Sequence, residues 1–151
     1  MVLSLGRLQT CREAFGRAIG LTGSQFAVLM GTAYTQGRSG VSIGLLAAHV
    51  HLASTHVTTE VGRLYRLGLL TKVPSADDGR SVLVSLSKKG ELAVQSVTPL
   101  VRAVNDRLFA DVGADELQAV HSFFIRFLLN SELALADVRE RRHIDEAKVP
   151  Q

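Results

Sequence analysis

A chain of 151 residues is long enough for one domain with a real core, and its single cysteine leaves no internal disulfide to form, which suits a reducing compartment. The 17 Lys and Arg residues exceed the 14 Asp and Glu by only three, too little to argue for a nucleic-acid partner by itself. No basic leader with an apolar centre and cleavage site opens the chain, and no run of about 20 apolar residues interrupts it, so a cytoplasmic protein without a membrane segment is expected.

The first predicted element is an N-terminal helix with Leu5, Leu8, Phe15 and Ile19 on one stripe. Between Ala18 and Thr59 the only Lys, Arg, Asp or Glu is Arg38, so this charge-poor stretch reads as buried helices, the last of them running from about Val41. A helix follows from about Ser54 to Leu67, with Val57, Val61, Leu64 and Leu67 recurring at four, three and three. Ser54 is its expected N-cap and Gly68 its C-cap. Its opposite face carries Thr55, His56, Thr58, Thr59, Gly62, Arg63 and Arg66, whose hydroxyl, imidazole and guanidinium groups suit base edges and phosphates.

A hairpin comes next. Leu69 to Pro74 and Ser81 to Leu86 read as strands, with Val82, Val84 and Leu86 as one buried face, and Ser75 to Arg80 as the turn. Arg80 at the tip can enter a minor groove whose negative potential attracts it, oriented by an adjacent aspartate. Between Glu60 and Gly90 six basic residues stand against three acidic ones, an excess equal to the net charge of the whole chain. The positive charge is concentrated where a DNA-facing surface would need it.

After the hairpin, Val97, Leu100, Val101, Val104 and Leu108 form a stripe on a long helix that Pro99 is expected to bend. Leu117, Val120, Phe124, Phe127 and Leu128 form another on a last helix starting near Ala114, with Gly113 or Asp115 at its start. These stripes exceed what a compact DNA-reading unit of about 80 residues needs, and the mean hydropathy of +0.19 is high for a soluble monomer, so a second copy of the chain is the expected cover. Beyond Leu135 the mixed charges read as a solvated helix end or tail.

The run from Leu52 to Gly90, L-A-S-T-H-V-T-T-E-V-G-R-L-Y-R-L-G-L-L followed by D-D-G-R-S-V-L-V-S-L-S-K-K-G, resembles the MarR family of bacterial transcription regulators. The segment G-L-T-G-S-Q-F-A-V-L at Gly20 to Leu29 resembles the way that family opens its second helix. The resemblance implies a mainly α fold with a small β-hairpin, in which residues 20–87 form a winged helix-turn-helix lobe. Residues 1–19 and 88–135 would form the dimerisation helices of a single domain spanning 1–151, with 136–151 a charged tail. It implies a homodimer on a pseudo-palindromic operator in double-stranded DNA, its two reading helices roughly 34 Å apart. The expected DNA-binding residues are Ser54, Thr55, His56, Thr58, Thr59, Arg63, Lys72, Asp78 and Arg80, with Arg63 on phosphate, Arg80 in the minor groove and Asp78 orienting it. Two positions depart from the family pattern, which often has a basic residue in place of Thr59 and an acidic one in place of Gly62. The first bears on base preference; the second implies that an acid-to-arginine contact within the helix is missing.

The family commonly binds an aromatic or phenolic acid in an apolar cleft, so a repressor whose DNA affinity responds to a small organic ligand is expected. Phe15, Phe26, Met30 and Tyr34 would supply walls, and Arg12 or His49 a polar anchor. An alternative is a redox-responsive regulator acting through Cys11, although the redox branch carries its cysteine much further ahead of the Gly-Leu-Thr segment, and no second thiol is present here. Another is a winged helix that docks protein, which has no need for Arg63, Arg66 and Arg80 on one side. His49 and His51 are two apart and point in different directions on a helix, so no metal is expected. With no phosphate loop or nucleophile turn, no catalytic group or cofactor is expected either.

Overall fold

The computed structural model describes residues 2–75 and 81–147. Its elements are α1 (Val2–Ala18), α2 (Gly23–Thr35), β1 (Val41–Ser42), α3 (Ile43–Val50), α4 (Ser54–Arg66), β2 (Leu70–Pro74), β3 (Val82–Leu86), α5 (Lys88–Leu108) and α6 (Ala114–Ala147). The strands form one antiparallel sheet in the order β1-β3-β2, with Val41 opposite Val84 and Leu70 opposite Leu86. The chain divides into two compact units, 1–106 and 107–151.

In the first unit α2 is the central helix, and its start is fixed locally. The Thr22 hydroxyl accepts from the Gln25 amide, and the Gln25 side chain accepts from the Thr22 amide, a reciprocal cap that satisfies two otherwise unpaired donors. Phe26, Val28, Leu29, Gly31 and Thr32 are all buried, so α2 is enclosed on several sides. Thr32 is tolerated there because its hydroxyl donates to the Val28 carbonyl at 2.8 Å. A side chain at Gly31 would strike Val50 and Leu46, so its absence allows α3 to lie close against α2.

Two apolar clusters hold this unit together. The larger gathers Val28 and Leu29 of α2, Leu46 of α3, Val57, Val61 and Leu64 of α4, and Leu70 and Val84 of the sheet. Each such side chain contributes on the order of 1.5–3 kcal/mol of transfer free energy. The smaller joins Phe15 of α1, Phe26 of α2 and Val97 of α5, with the two rings 5.7 Å apart. The expected N-terminal stripe is therefore divided: Phe15 faces inward and Leu5 and Leu8 are exposed. The stripe of α5 divides likewise, with Val97 buried, Val101 and Val104 packed beside it, and Leu100 and Leu108 exposed.

Three local expectations need correction. The charge-poor stretch does not continue as helix at Val41, because Val41 and Ser42 pair with β3 and the Ser42 hydroxyl then caps α3 by accepting from the Leu45 amide. Ser54 is not the N-cap of α4. Val57 N–H already reaches the Ala53 carbonyl at 3.0 Å, so Ala53 is the cap, without a side-chain bond, and Ser54 is the first helical residue. Val82 is exposed and Leu86 half-buried against the edge of the larger cluster, leaving Val84 as the strand's fully buried residue.

In the second unit Gly113 opens α6, its amide donating to Glu116 at 2.8 Å. Leu117, Val120, Phe124, Phe127 and Leu128 are all exposed, and Phe123 packs on both Phe124 and Phe127, with ring centroids 5.4 and 5.9 Å apart. No helix among the described residues is long and apolar enough to cross a membrane.

Candidate nucleic-acid interface

Helix α4 is amphipathic in a strict sense. Val57, Glu60, Val61 and Leu64 are buried, whereas Ser54, Thr55, His56, Thr58, Thr59, Arg63 and Arg66 are exposed on the remaining surface. Leu67, expected on the buried stripe, is exposed because the helix has ended. The stop is a complete hydrogen-bonded reversal: Gly68, at φ +73°, donates to the Tyr65 carbonyl, and Leu69 donates to the Leu64 carbonyl. Leu64 and Leu69 then both enter the core, which fixes the angle at which the chain leaves the helix.

The threonines of this face are partly committed. Thr58 donates its hydroxyl to the Ser54 carbonyl at 2.8 Å, and Thr59 to the Thr55 carbonyl at 3.0 Å. Each therefore offers lone pairs and a methyl group outward, a combination suited to accepting from a base amino group or packing on a thymine methyl.

Glu60 was not legible as a core residue, yet its side chain is 3% exposed. Its Oε1 accepts from Arg63 Nη1 at 2.6 Å and lies 3.9 Å from His56 Nε2, while its Oε2 is buried without a hydrogen-bond partner among the described residues. Gly62 offers no acid to Arg63, and Glu60 supplies a different carboxylate-to-arginine contact within the helix. The recoverable signal was spacing, since Glu60 lies three residues after Val57 and four before Leu64.

The hairpin continues the surface. Lys72 on β2 is exposed and its ammonium lies 5.2 Å from the centre of the Tyr65 ring, which links the strand to α4. Asp77, Asp78 and Arg80 lie outside the described residues. At the base of the hairpin Ser87 joins two helices: its hydroxyl donates to the Gly68 carbonyl at 2.6 Å and accepts from the Gly90 amide at 3.0 Å. Its own amide donates to the Leu69 carbonyl, and Lys89 reaches the Leu67 carbonyl at 2.9 Å. The start of α5 is thereby fastened to the end of α4.

The six residues expected around a ligand take different settings among the described residues. Phe15 and Phe26 are core, Met30 packs beside them, and Tyr34 is exposed with its ring 6.5 Å from that of His49. Arg12 lines an open cleft of about 620 Å³ between α1 and the start of α2, shared with Gln9, Glu13, Arg17 and Thr22. The Arg12 Nε is buried and has no hydrogen-bond partner among the described residues.

A three-helix lobe closed by a two-stranded wing, with a polar face on its last helix, defines a winged helix-turn-helix protein. Comparison with known proteins narrows the class. A profile described as MarR family matches residues 19–81. The transcriptional activatory protein BadR of Rhodopseudomonas palustris is 29% identical over 114 residues, covering 75% of this chain, and the chain spans 65% of the length of that relative. The transcriptional regulator MOSR of M. tuberculosis, solved in complex with DNA, is 25% identical with a TM-score of 0.69, over 87% of this chain and 92% of that one. The PcaV regulator of Streptomyces coelicolor, solved with its natural ligand, is 27% identical with a TM-score of 0.64, over 85% and 90% of the two chains. Residues 19–81 thus match the MarR family model, and the fold is shared with these transcription regulators.

Proposed function

We propose that this protein is a dimeric, sequence-specific regulator of transcription that binds double-stranded DNA through α4 and the wing. The observation that carries this reading is the exposed polar face of α4, set directly opposite its buried stripe and continued by Lys72. Ser54, Thr55, His56, Thr58, Thr59 and Arg63 enter the major groove, Lys72 meets phosphate, and Arg80, oriented by Asp78, reaches the adjacent minor groove. Residues 20–87 are the reading lobe. Residues 1–19 and 88–135 supply the dimer contacts, a role supported by the exposed Leu5, Leu8, Phe124 and Phe127. Two-fold symmetry then calls for a pseudo-palindromic operator.

Regulation in this reading is repression, relieved by a small organic acid. Arg12 is the favoured anchor, since an arginine with an unused donor at the edge of a cleft matches a carboxylate. PcaV is a relative with a natural ligand, and BadR is by its name an activator, so a transcription assay with and without aromatic acids decides both sign and effector.

The reading helix is tested by selection from a random duplex pool. His56→Ala and Thr59→Ala are expected to change the preferred bases at one or two positions per half-site, each lost base contact worth about 1–3 kcal/mol, while affinity for scrambled DNA changes little. Parallel weakening on every sequence, with preferences intact, would remove these two residues from the reading surface.

A further inference from the structure

We infer that Glu60 is a positioning residue for DNA readout: it holds Arg63 and His56 in preset directions and contributes selectivity at the expense of general affinity. This rests on α4 being the reading helix. The inference starts from a mismatch between residue and location. Position 60 belongs to the buried set with Val57, Val61 and Leu64, where an apolar side chain would complete the stripe. A carboxylate there is desolvated at considerable cost, and a hydrophobic residue of similar size is often neutral or better for stability.

What the carboxylate does is visible in its neighbours. Arg63 is three residues ahead and His56 four behind, so both stand over it on the same face of the helix. The charge-assisted bond to Arg63 is short, at 2.6 Å, and the guanidinium remains half exposed, with further donors turned outward. His56 Nε2 lies 3.9 Å from the same Oε1, beyond hydrogen-bond distance but within reach of the carboxylate's charge, while Oε2 is buried without a hydrogen-bond partner among the described residues. Arg63 thus loses much of its freedom before DNA arrives and His56 is drawn toward the same carboxylate, which lowers the ordering cost of one bound pose.

The same carboxylate repels phosphate and occupies a guanidinium that would otherwise engage phosphate anywhere. Its removal should therefore loosen discrimination and tighten indiscriminate binding together. A group that merely packed the core would produce neither change.

The test is fluorescence anisotropy with a duplex selected by the wild-type protein from a random pool, and a scrambled duplex of the same composition. Glu60→Leu is expected to keep or raise the melting temperature, to tighten binding to the scrambled duplex, and to lower the selected-to-scrambled ratio about tenfold. Glu60→Gln, which keeps the acceptor and loses the charge, should fall between, and it decides the question if Glu60→Leu does not fold. In an Arg63→Gln background, where a donor to Glu60 remains and the cation does not, most of the effect should disappear. If Glu60→Leu and Glu60→Gln keep the wild-type ratio while Arg63→Gln loses it, Glu60 only packs. If the wild type shows no preference and Arg63→Gln behaves like it, α4 is not the reader, and this inference falls with that reading.

Discussion

Gly90→Ala is expected to destabilise the DNA-reading lobe by about 3 kcal/mol or more, at the upper end of what overpacking a core normally costs. A Cβ at Gly90 would overlap the Leu69 carbonyl oxygen and also crowd Leu86. That oxygen already accepts the Ser87 amide at 3.0 Å, so relief by backbone movement would break the fastening between α4 and α5. For a chain of this length such a loss corresponds to a fall in melting temperature of roughly 6–12 °C. Gly68→Ala is the control: its φ of +73° carries a backbone penalty, but the space beside it is open apart from the end of Lys89. It should cost only about 1–2 kcal/mol. Thermal or urea unfolding of the two variants checks the order, and an undisturbed midpoint for Gly90→Ala would mean that α5 is not seated on Leu69.

On selected DNA, Arg80→Ala is expected to cost about 1–3 kcal/mol and to relax preference at the minor-groove positions flanking each major-groove contact. Lys72→Ala is the contrasting case. A lysine on an exposed strand acts as a point charge on phosphate, so its loss should weaken all sequences alike and reduce the salt slope by about one. The two variants measured on selected and scrambled duplexes distinguish shape reading from simple neutralisation. Equal affinity of Arg80→Ala and the wild type for the selected duplex would remove the wing from the interface.

The parts of the fold that were legible from sequence are those in which local spacing and tertiary packing agree. Val57, Val61 and Leu64 recur at helical intervals and are buried, Gly68 turns the chain one residue past the C-cap, which is Leu67 and not Gly68 as expected, and the residues around Val84 form a strand. Strand β1 was hidden because two residues show no alternation, and the charge-poor run around it resembles buried helix equally well. Glu60 was hidden by its charge: it entered the count of acids, although its spacing from Val57 and Leu64 placed it in the core. Phe15 and Phe26, expected as walls of a ligand cleft, pack with Val97 in the seam between α1, α2 and α5. Aromatic residues on facing helices serve either purpose, and only the packing distinguishes them. The exposed face of α4 was legible residue by residue, whereas the carboxylate beneath it, which orders that face, was not.

The most direct test of DNA reading by α4 and the wing is anisotropy of the purified protein on its own upstream intergenic DNA against a scrambled duplex, across a salt series. The predicted result is binding by two protomers per site, selective for the intergenic duplex, with log K falling by about 0.9 per phosphate neutralised as log salt rises. Equal, weak and salt-insensitive binding to both duplexes would contradict it and turn attention to a protein partner for the same face.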